Sequence, residues 1–127
     1  MPVTLLRRLD PWVPPLVLMG VIFFLSAQPH LHTDLGVVDT IGRKLVHFAI
    51  YSLLTFLYWR ALRTRMDSNR AVIVALALAS LYAITDEYHQ TFVAGRSGSP
   101  IDWAIDTAGA GAAALRLRLR ARQETAT

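Results

Sequence analysis

Residues 70–90 read RAVIVALALASLYAITDEYHQ, and no Asp, Glu, Lys or Arg separates Arg70 from Asp86. A surface helix of a soluble protein carries polar side chains along one face, and this stretch has no such face. About 20 apolar helical residues cross the hydrocarbon core of a bilayer. The stretch therefore predicts a membrane-spanning helix that ends in a group of polar residues.

Three further uncharged stretches accompany this one, and they run from Asp10 to Asp34, from Lys44 to Arg60 and from Asp106 to Arg116. Each reaches spanning length when its polar flanks lie at the membrane interface. The sequence, 54% hydrophobic overall, thus predicts an all-α fold, a four-transmembrane-helix bundle in a single domain of residues 1–127. The predicted helices are about 12–27, 44–62, 70–90 and 101–119.

The basic residues alternate between the predicted connections. Most of them precede the first span, lie between the second and third, or follow the fourth: Arg7, Arg8, Arg60, Arg63, Arg65, Arg70, Arg116, Arg118, Arg120 and Arg122. The other two connections hold only Arg43, Lys44 and Arg96. Cytoplasmic loops carry the excess of Lys and Arg, so we expect a multi-pass plasma-membrane protein with both termini cytoplasmic.

Composition narrows the function classes. The pI of about 10.1 is high because basic residues are concentrated in the connections on one side of the membrane. No nucleic-acid partner is therefore predicted. The chain has no cysteine, which excludes disulfides, thiol catalysis and thiolate metal sites. Arg7 and Arg8 before an apolar run could also begin a cleavable signal peptide, but no small-x-small site follows, and the segment is interpreted as a span.

Three of the predicted helices carry polar stripes near their extracytoplasmic ends. At helical spacing these are Lys44, His47 and Tyr51 on the second helix, Asp86 and His89 beside Glu87 and Gln90 on the third, and Asp102 and Asp106 on the fourth. Ionisable groups at membrane depth are costly unless they face one another. We therefore predict one polar site, with Asp86, His89, Asp106 and His47 as candidate catalytic residues.

Several of these residues also have a structural interpretation. Asp102 fits a capping pattern with Ser99 and Pro100, whereas Asp106 lies one turn deeper, where no cap is needed. Adjacent acids on a helix point about 100° apart, so Asp86 is expected to face inward and Glu87 the outer loop.

Candidate ligand contacts form a second group. Arg96 is either a solvated loop charge or an anion-binding residue. Candidate substrate or anion contacts are Lys44, Arg96, Glu87, Gln90 and Asp102.

Four motifs together resemble the VanZ-like family of small bacterial membrane proteins. They are Ser26-Ala27-Gln28-Pro29, Lys44-x-x-His47-Phe48-x-x-Tyr51, Tyr82-Ala83-x-x-Asp86-Glu87-x-His89-Gln90-x-Phe92-Val93-x-Gly95-Arg96 and Asp102-x-x-x-Asp106-x-x-Gly109. The resemblance covers residues 26–109. It departs from the family pattern at Arg43, where an acid is usual, and at Ala94, where a proline is usual.

The resemblance implies a cell-envelope role, because the founding member is associated with low-level teicoplanin resistance. One hypothesis is a non-catalytic factor whose polar network binds membrane lipids or lipid-linked envelope precursors. Another is an enzyme acting on a lipid head group, with Asp86 and His89, or Asp106 and His47, as the general acid and base pair. A metal-dependent version would use the same carboxylates and imidazoles, and this oxygen-rich set favours magnesium, calcium or manganese, with zinc as the alternative. A third is a small transporter, which would need an oligomer because no polar path crosses four short helices. The sequence identifies no cofactor.

Overall fold

The computed structural model describes residues 10–26, 37–92 and 100–126. A 3-10 turn at Asp10–Trp12 leads into four helices: α1 (Val13–Ser26), α2 (Val37–Leu62), α3 (Ser68–Gln90) and α4 (Pro100–Ala126). No strand occurs in these three ranges. The all-α prediction is therefore confirmed for the part of the chain that the structure describes.

The helix boundaries follow local signals. Asp67 caps α3, because its side chain accepts a hydrogen bond from the Arg70 backbone N–H at 3.3 Å. Pro100 begins α4, as predicted, at a position where its missing backbone donor is tolerated. Pro14 and Pro15 fall in the first turn of α1 for the same reason.

Two helices are longer than predicted. α2 begins at Val37 rather than near Lys44, and α4 continues to Ala126 rather than ending near Leu119. Hydropathy marks where apolar sequence ends, but the Arg, Ala, Gln and Glu residues after Leu119 are good helix formers and extend α4 beyond that point. The earlier start of α2, over residues 37–43, is not explained by helix propensity. The apolar stretch thus defined the middle of each helix better than its ends.

Successive helices alternate in direction. Trp59 donates to Ser68 at 3.3 Å and Tyr51 to Asp86 at 3.4 Å, so α3 runs antiparallel to α2. His47 meets Asp106, and Ser52 donates to the Gly109 carbonyl, so α4 runs parallel to α2. The end of α3 and the starts of α2 and α4 consequently lie together.

Small residues bring the helices close. Ala71, Ala75, Ala79 and Ala83 of α3 are fully buried. Gly109 of α4 lies against α2, where an added Cβ would be only 3.0 Å from the Cα of Phe48, and Ser52 Oγ donates to the Gly109 carbonyl at 2.7 Å. Small side chains permit such close packing of helices.

Two helical stretches are long and apolar enough to cross a membrane. They are Ile41–Leu62, with a mean hydropathy of 1.3, and Ser68–Gln90, with a mean hydropathy of 1.5. Val13–Leu25 is a shorter apolar helix. Large side chains on these helices are exposed, including Leu45, Ile73 and Leu81 at 60% or more. That pattern is typical of helices whose outer faces meet lipid.

Candidate functional site

The junction of α2, α3 and α4 holds a cluster of polar side chains, here called the carboxylate cluster: His47, Tyr51, Asp86, Gln90 and Asp106. His47 Nδ1 lies 3.0 Å from Asp106 Oδ1, and the Asp106 side chain is completely buried. The His47 ring keeps 30% of its surface exposed. The pair therefore connects a buried carboxylate to the outside of the helix assembly.

Asp86 is the second buried carboxylate of the cluster. It is 1% exposed, and its Oδ2 accepts hydrogen bonds from the Tyr51 hydroxyl at 3.4 Å and the Gln90 amide at 3.2 Å. Asp86 therefore faces inward, as its position on the polar stripe of α3 predicted. Two neutral donors stabilise this carboxylate, whereas Asp106 meets an imidazole.

Each carboxylate retains one oxygen without a described partner. Asp86 Oδ1 and Asp106 Oδ2 are buried and form no hydrogen bond within the described ranges. Ligand atoms of His47, Asp86 and Asp106 all lie within 4.8 Å of one another. One imidazole and two carboxylates are a donor set that divalent metals accept, and the His47–Asp106 pair could equally move a proton to or from a bound group.

A second ion pair lies nearer the surface. Lys44 Nζ is 3.6 Å from Asp102 Oδ1, with side-chain exposures of 40% and 35%. Asp102 occupies the first turn of α4, but Ser99, its predicted capping partner, lies outside the described residues. Lys44 and Asp102 therefore meet each other, one helical turn outward from His47 and Asp106.

The remaining candidate residues are distributed differently. Glu87 is 8% exposed, so both adjacent acids of α3 are buried. The outer connection at 93–99, which Glu87 was expected to face, lies outside the described residues. The His89 ring stacks on Phe23 of α1 with centroids 4.0 Å apart. Among the described residues, Asp86 accepts hydrogen bonds from Tyr51 and Gln90 and forms none with His89. Arg96 lies outside those residues.

Sequence reasoning missed the contacts that fix α4 against its neighbours. Trp103 Nε1 donates to the Ser80 carbonyl at 3.2 Å, and Ser80 shares a 3.2 Å hydrogen bond with Thr107. Ser52 binds the Gly109 carbonyl from the other side. The small residues around Gly109 signalled close packing, but nothing in the sequence paired them with Ser52 or Ser80.

Within the described ranges, four packed helices, two of them long and apolar enough to cross a bilayer, together with ionisable groups buried between them, indicate a small helical membrane protein. A family model described as VanZ/LLP1 matches residues 12–120, and the chain belongs to that family. This confirms the resemblance drawn from the four motifs and supports a VanZ-like membrane protein. No curated protein and no solved structure matches significantly.

Proposed function

We propose that the chain crosses the plasma membrane four times, with both termini cytoplasmic and the carboxylate cluster at the extracytoplasmic side. The alternating helix directions support this topology, since the cluster lies at one end of the helices and Arg63 and Arg120 line a cleft at the other. Positively charged connections are retained in the cytoplasm.

The topology can be tested with the cysteine-free chain. Ile101→Cys and Thr64→Cys place one thiol at each end, both at exposed positions. A membrane-impermeant maleimide should label Ile101→Cys in intact cells and Thr64→Cys only after permeabilisation. The reverse pattern would place the carboxylate cluster in the cytoplasm and overturn the orientation.

We further propose that this site binds the head group of an outer-leaflet lipid or lipid-linked envelope precursor, and that binding raises tolerance to teicoplanin. The observation that carries this proposal is the pairing of a completely buried Asp106 with a part-exposed His47. Replacing a whole buried ion pair by apolar residues is often neutral or stabilising, so packing alone gives little reason for such a pair. A pair that reaches the outer edge of the helices is suited to contact a polar ligand.

Catalysis on the same head group is a second candidate, and the His47–Asp106 contact of 3.0 Å favours it. A hydrogen-bonded imidazole and carboxylate can act as general base and orienting group. Transport has less in its favour. The fully buried α3 residues between the cluster and the arginine end are Ala71, Ala75, Ala79 and Ala83, and the buried polar residues of α2 over the same span are Thr55 and Tyr58. Among the described residues, no Asp, Glu, Lys, Arg or His is therefore buried along that span.

The test compares wild type with Asp86→Asn and Asp106→Asn in a teicoplanin-susceptible Gram-positive host. Asp67→Asn is the matched control, since it makes the same chemical change at an exposed helix cap at the far end. At equal membrane abundance, wild type and Asp67→Asn should raise the inhibitory concentration of teicoplanin more than that of vancomycin, and the cluster variants should not.

Other outcomes are equally informative. Cluster variants that protect as well as wild type would make the cluster architectural. A wild type without effect would refute the link to teicoplanin for this chain. Extraction of envelope lipids separates the two candidates, because an enzyme alters their composition in a cluster-dependent way whereas a binding protein leaves them unchanged.

A further inference from the structure

We propose that His47, Asp86 and Asp106 together bind one divalent transition-metal ion of the Zn²⁺ or Mn²⁺ class. The inference rests on the proposed function only in taking the carboxylate cluster as the functional site. The proposed ligand is a metal ion, and its binding can be measured without lipid or glycopeptide.

The three side chains converge from three different helices. His47 comes from α2, Asp86 from α3 and Asp106 from α4, and one ligand atom of each lies within 4.8 Å of the other two. Ligands on opposite sides of an ion at about 2.1 Å are about 4.2 Å apart, and neighbouring ligands are closer. A modest inward movement of the carboxylates therefore forms a coordination sphere.

The buried oxygens give an independent reason. Asp86 Oδ1 and Asp106 Oδ2 belong to side chains that are 1% and 0% exposed, and neither has a hydrogen-bond partner among the described residues. A buried carboxylate oxygen without a donor is strongly unfavourable. A cation between Asp86 and Asp106 would satisfy both oxygens at once.

Charge balance agrees with this assignment. Two ionised carboxylates and a neutral imidazole would carry a net charge of minus two inside the helix assembly, and the nearby Lys44 pairs with Asp102. A divalent ion with neutral His47 and both carboxylates ionised has no net charge. Removing net charge from a buried site reduces its desolvation penalty.

The donor set selects the class of metal. Imidazole nitrogen suits zinc and carboxylate oxygen suits manganese, so a mixed set of one imidazole and two carboxylates fits either ion, whereas calcium and magnesium prefer all-oxygen sites. Three protein ligands leave further positions for water or for a phosphate oxygen of a head group. The part-exposed His47 ring provides the side from which an ion enters.

The experiment uses the full chain purified in detergent, stripped with a chelator and dialysed against Zn²⁺ or Mn²⁺, with Mg²⁺ and Ca²⁺ as competitors. One ion per chain should remain bound by elemental analysis, and binding should raise the unfolding temperature. His47→Gln, Asp86→Asn and Asp106→Asn should each weaken binding by about tenfold to hundredfold or more. Asp67→Asn should bind as wild type does.

The inference is overturned if stripped wild type binds neither ion, or if binding survives in the His47→Gln/Asp106→Asn double variant. Should an Asp variant fail to fold, His47→Gln supplies the same comparison at a part-exposed position. Metal binding with unaltered drug tolerance in the variants would reject the proposed function alone. Loss of tolerance without metal binding would reject the metal alone.

Discussion

The two ends of the helix assembly differ in whether their charged side chains are buried or exposed. At the end with the carboxylate cluster, Asp86 and Asp106 are buried and surrounded by side chains from other helices. At the other end, Arg63 and Arg120 are exposed and flank an open cleft of about 530 Å³. Buried charges require defined partners, whereas exposed ones are stabilised by water and lipid phosphate. We therefore propose that ligand specificity lies at the cluster and that the arginines contribute to orientation in the membrane.

The largest effect is expected when one partner of a buried pair is removed. His47→Ala leaves the completely buried Asp106 without its imidazole and should lower the free energy of unfolding by about 3–5 kcal/mol. Arg63→Ala removes a cation at the other end, where it stacks over Trp59 at 4.8 Å, and should cost about 0.5–1 kcal/mol. Denaturant unfolding in detergent measures both.

The double variant His47→Ala/Asp106→Asn sharpens that comparison. Because it removes the buried charge together with its partner, much of the lost stability should return. Equal losses for His47→Ala and Arg63→Ala would contradict the difference drawn between the two ends.

An intermediate effect is expected at the α2–α4 contact. Gly109→Ala places a Cβ against the Phe48 backbone, which cannot rotate away as a side chain would, and should cost about 1–3 kcal/mol. Gly111→Ala is its matched control on the same helix, since nothing lies within 4 Å of the added Cβ, and it should be neutral or stabilising by about 0.5–1 kcal/mol. Thermal unfolding and membrane abundance measure the difference, and a reversed order would reject the register of α4 against α2.

The smallest effect is expected at the outer ion pair. Lys44→Ala breaks a 3.6 Å contact between side chains that are each more than a third exposed, and should change stability by no more than about 1 kcal/mol. If Lys44 also contacts the head group, drug tolerance should fall more than stability does. A stability loss as large as that of His47→Ala would show that Lys44 and Asp102 belong to the buried network.

Much of the architecture could be predicted from the sequence because charge-free stretches directly determine helix number. The alternation of helix direction followed from the basic residues, which alternate between the predicted connections. Helical spacing also placed Lys44, His47 and Tyr51 together and turned Asp86 inward. These features depend on periodicity along one helix, and periodicity is visible in a single sequence.

The pairing of residues between helices could not be predicted. Periodicity gives the face of a helix but not its axial position, so the sequence left both Asp86 with His89 and Asp106 with His47 as candidate pairs. The structure forms the second and turns His89 onto Phe23. Asp86 and Glu87 are both buried, and the orientation of Glu87 towards the outer connection stays a prediction, because residues 93–99 lie outside the described ranges.

The alanine face of α3 has a consequence for how the helices find their register. Ala71, Ala75, Ala79 and Ala83 repeat every four residues, so a slide of α3 by four residues, about 6 Å, brings each alanine to the level of the next with little change in packing. Apolar contacts alone thus distinguish poorly between adjacent registers. The hydrogen bond from Tyr51 to Asp86 can form in only one of these registers. The buried carboxylate therefore selects the axial position of α3 against α2.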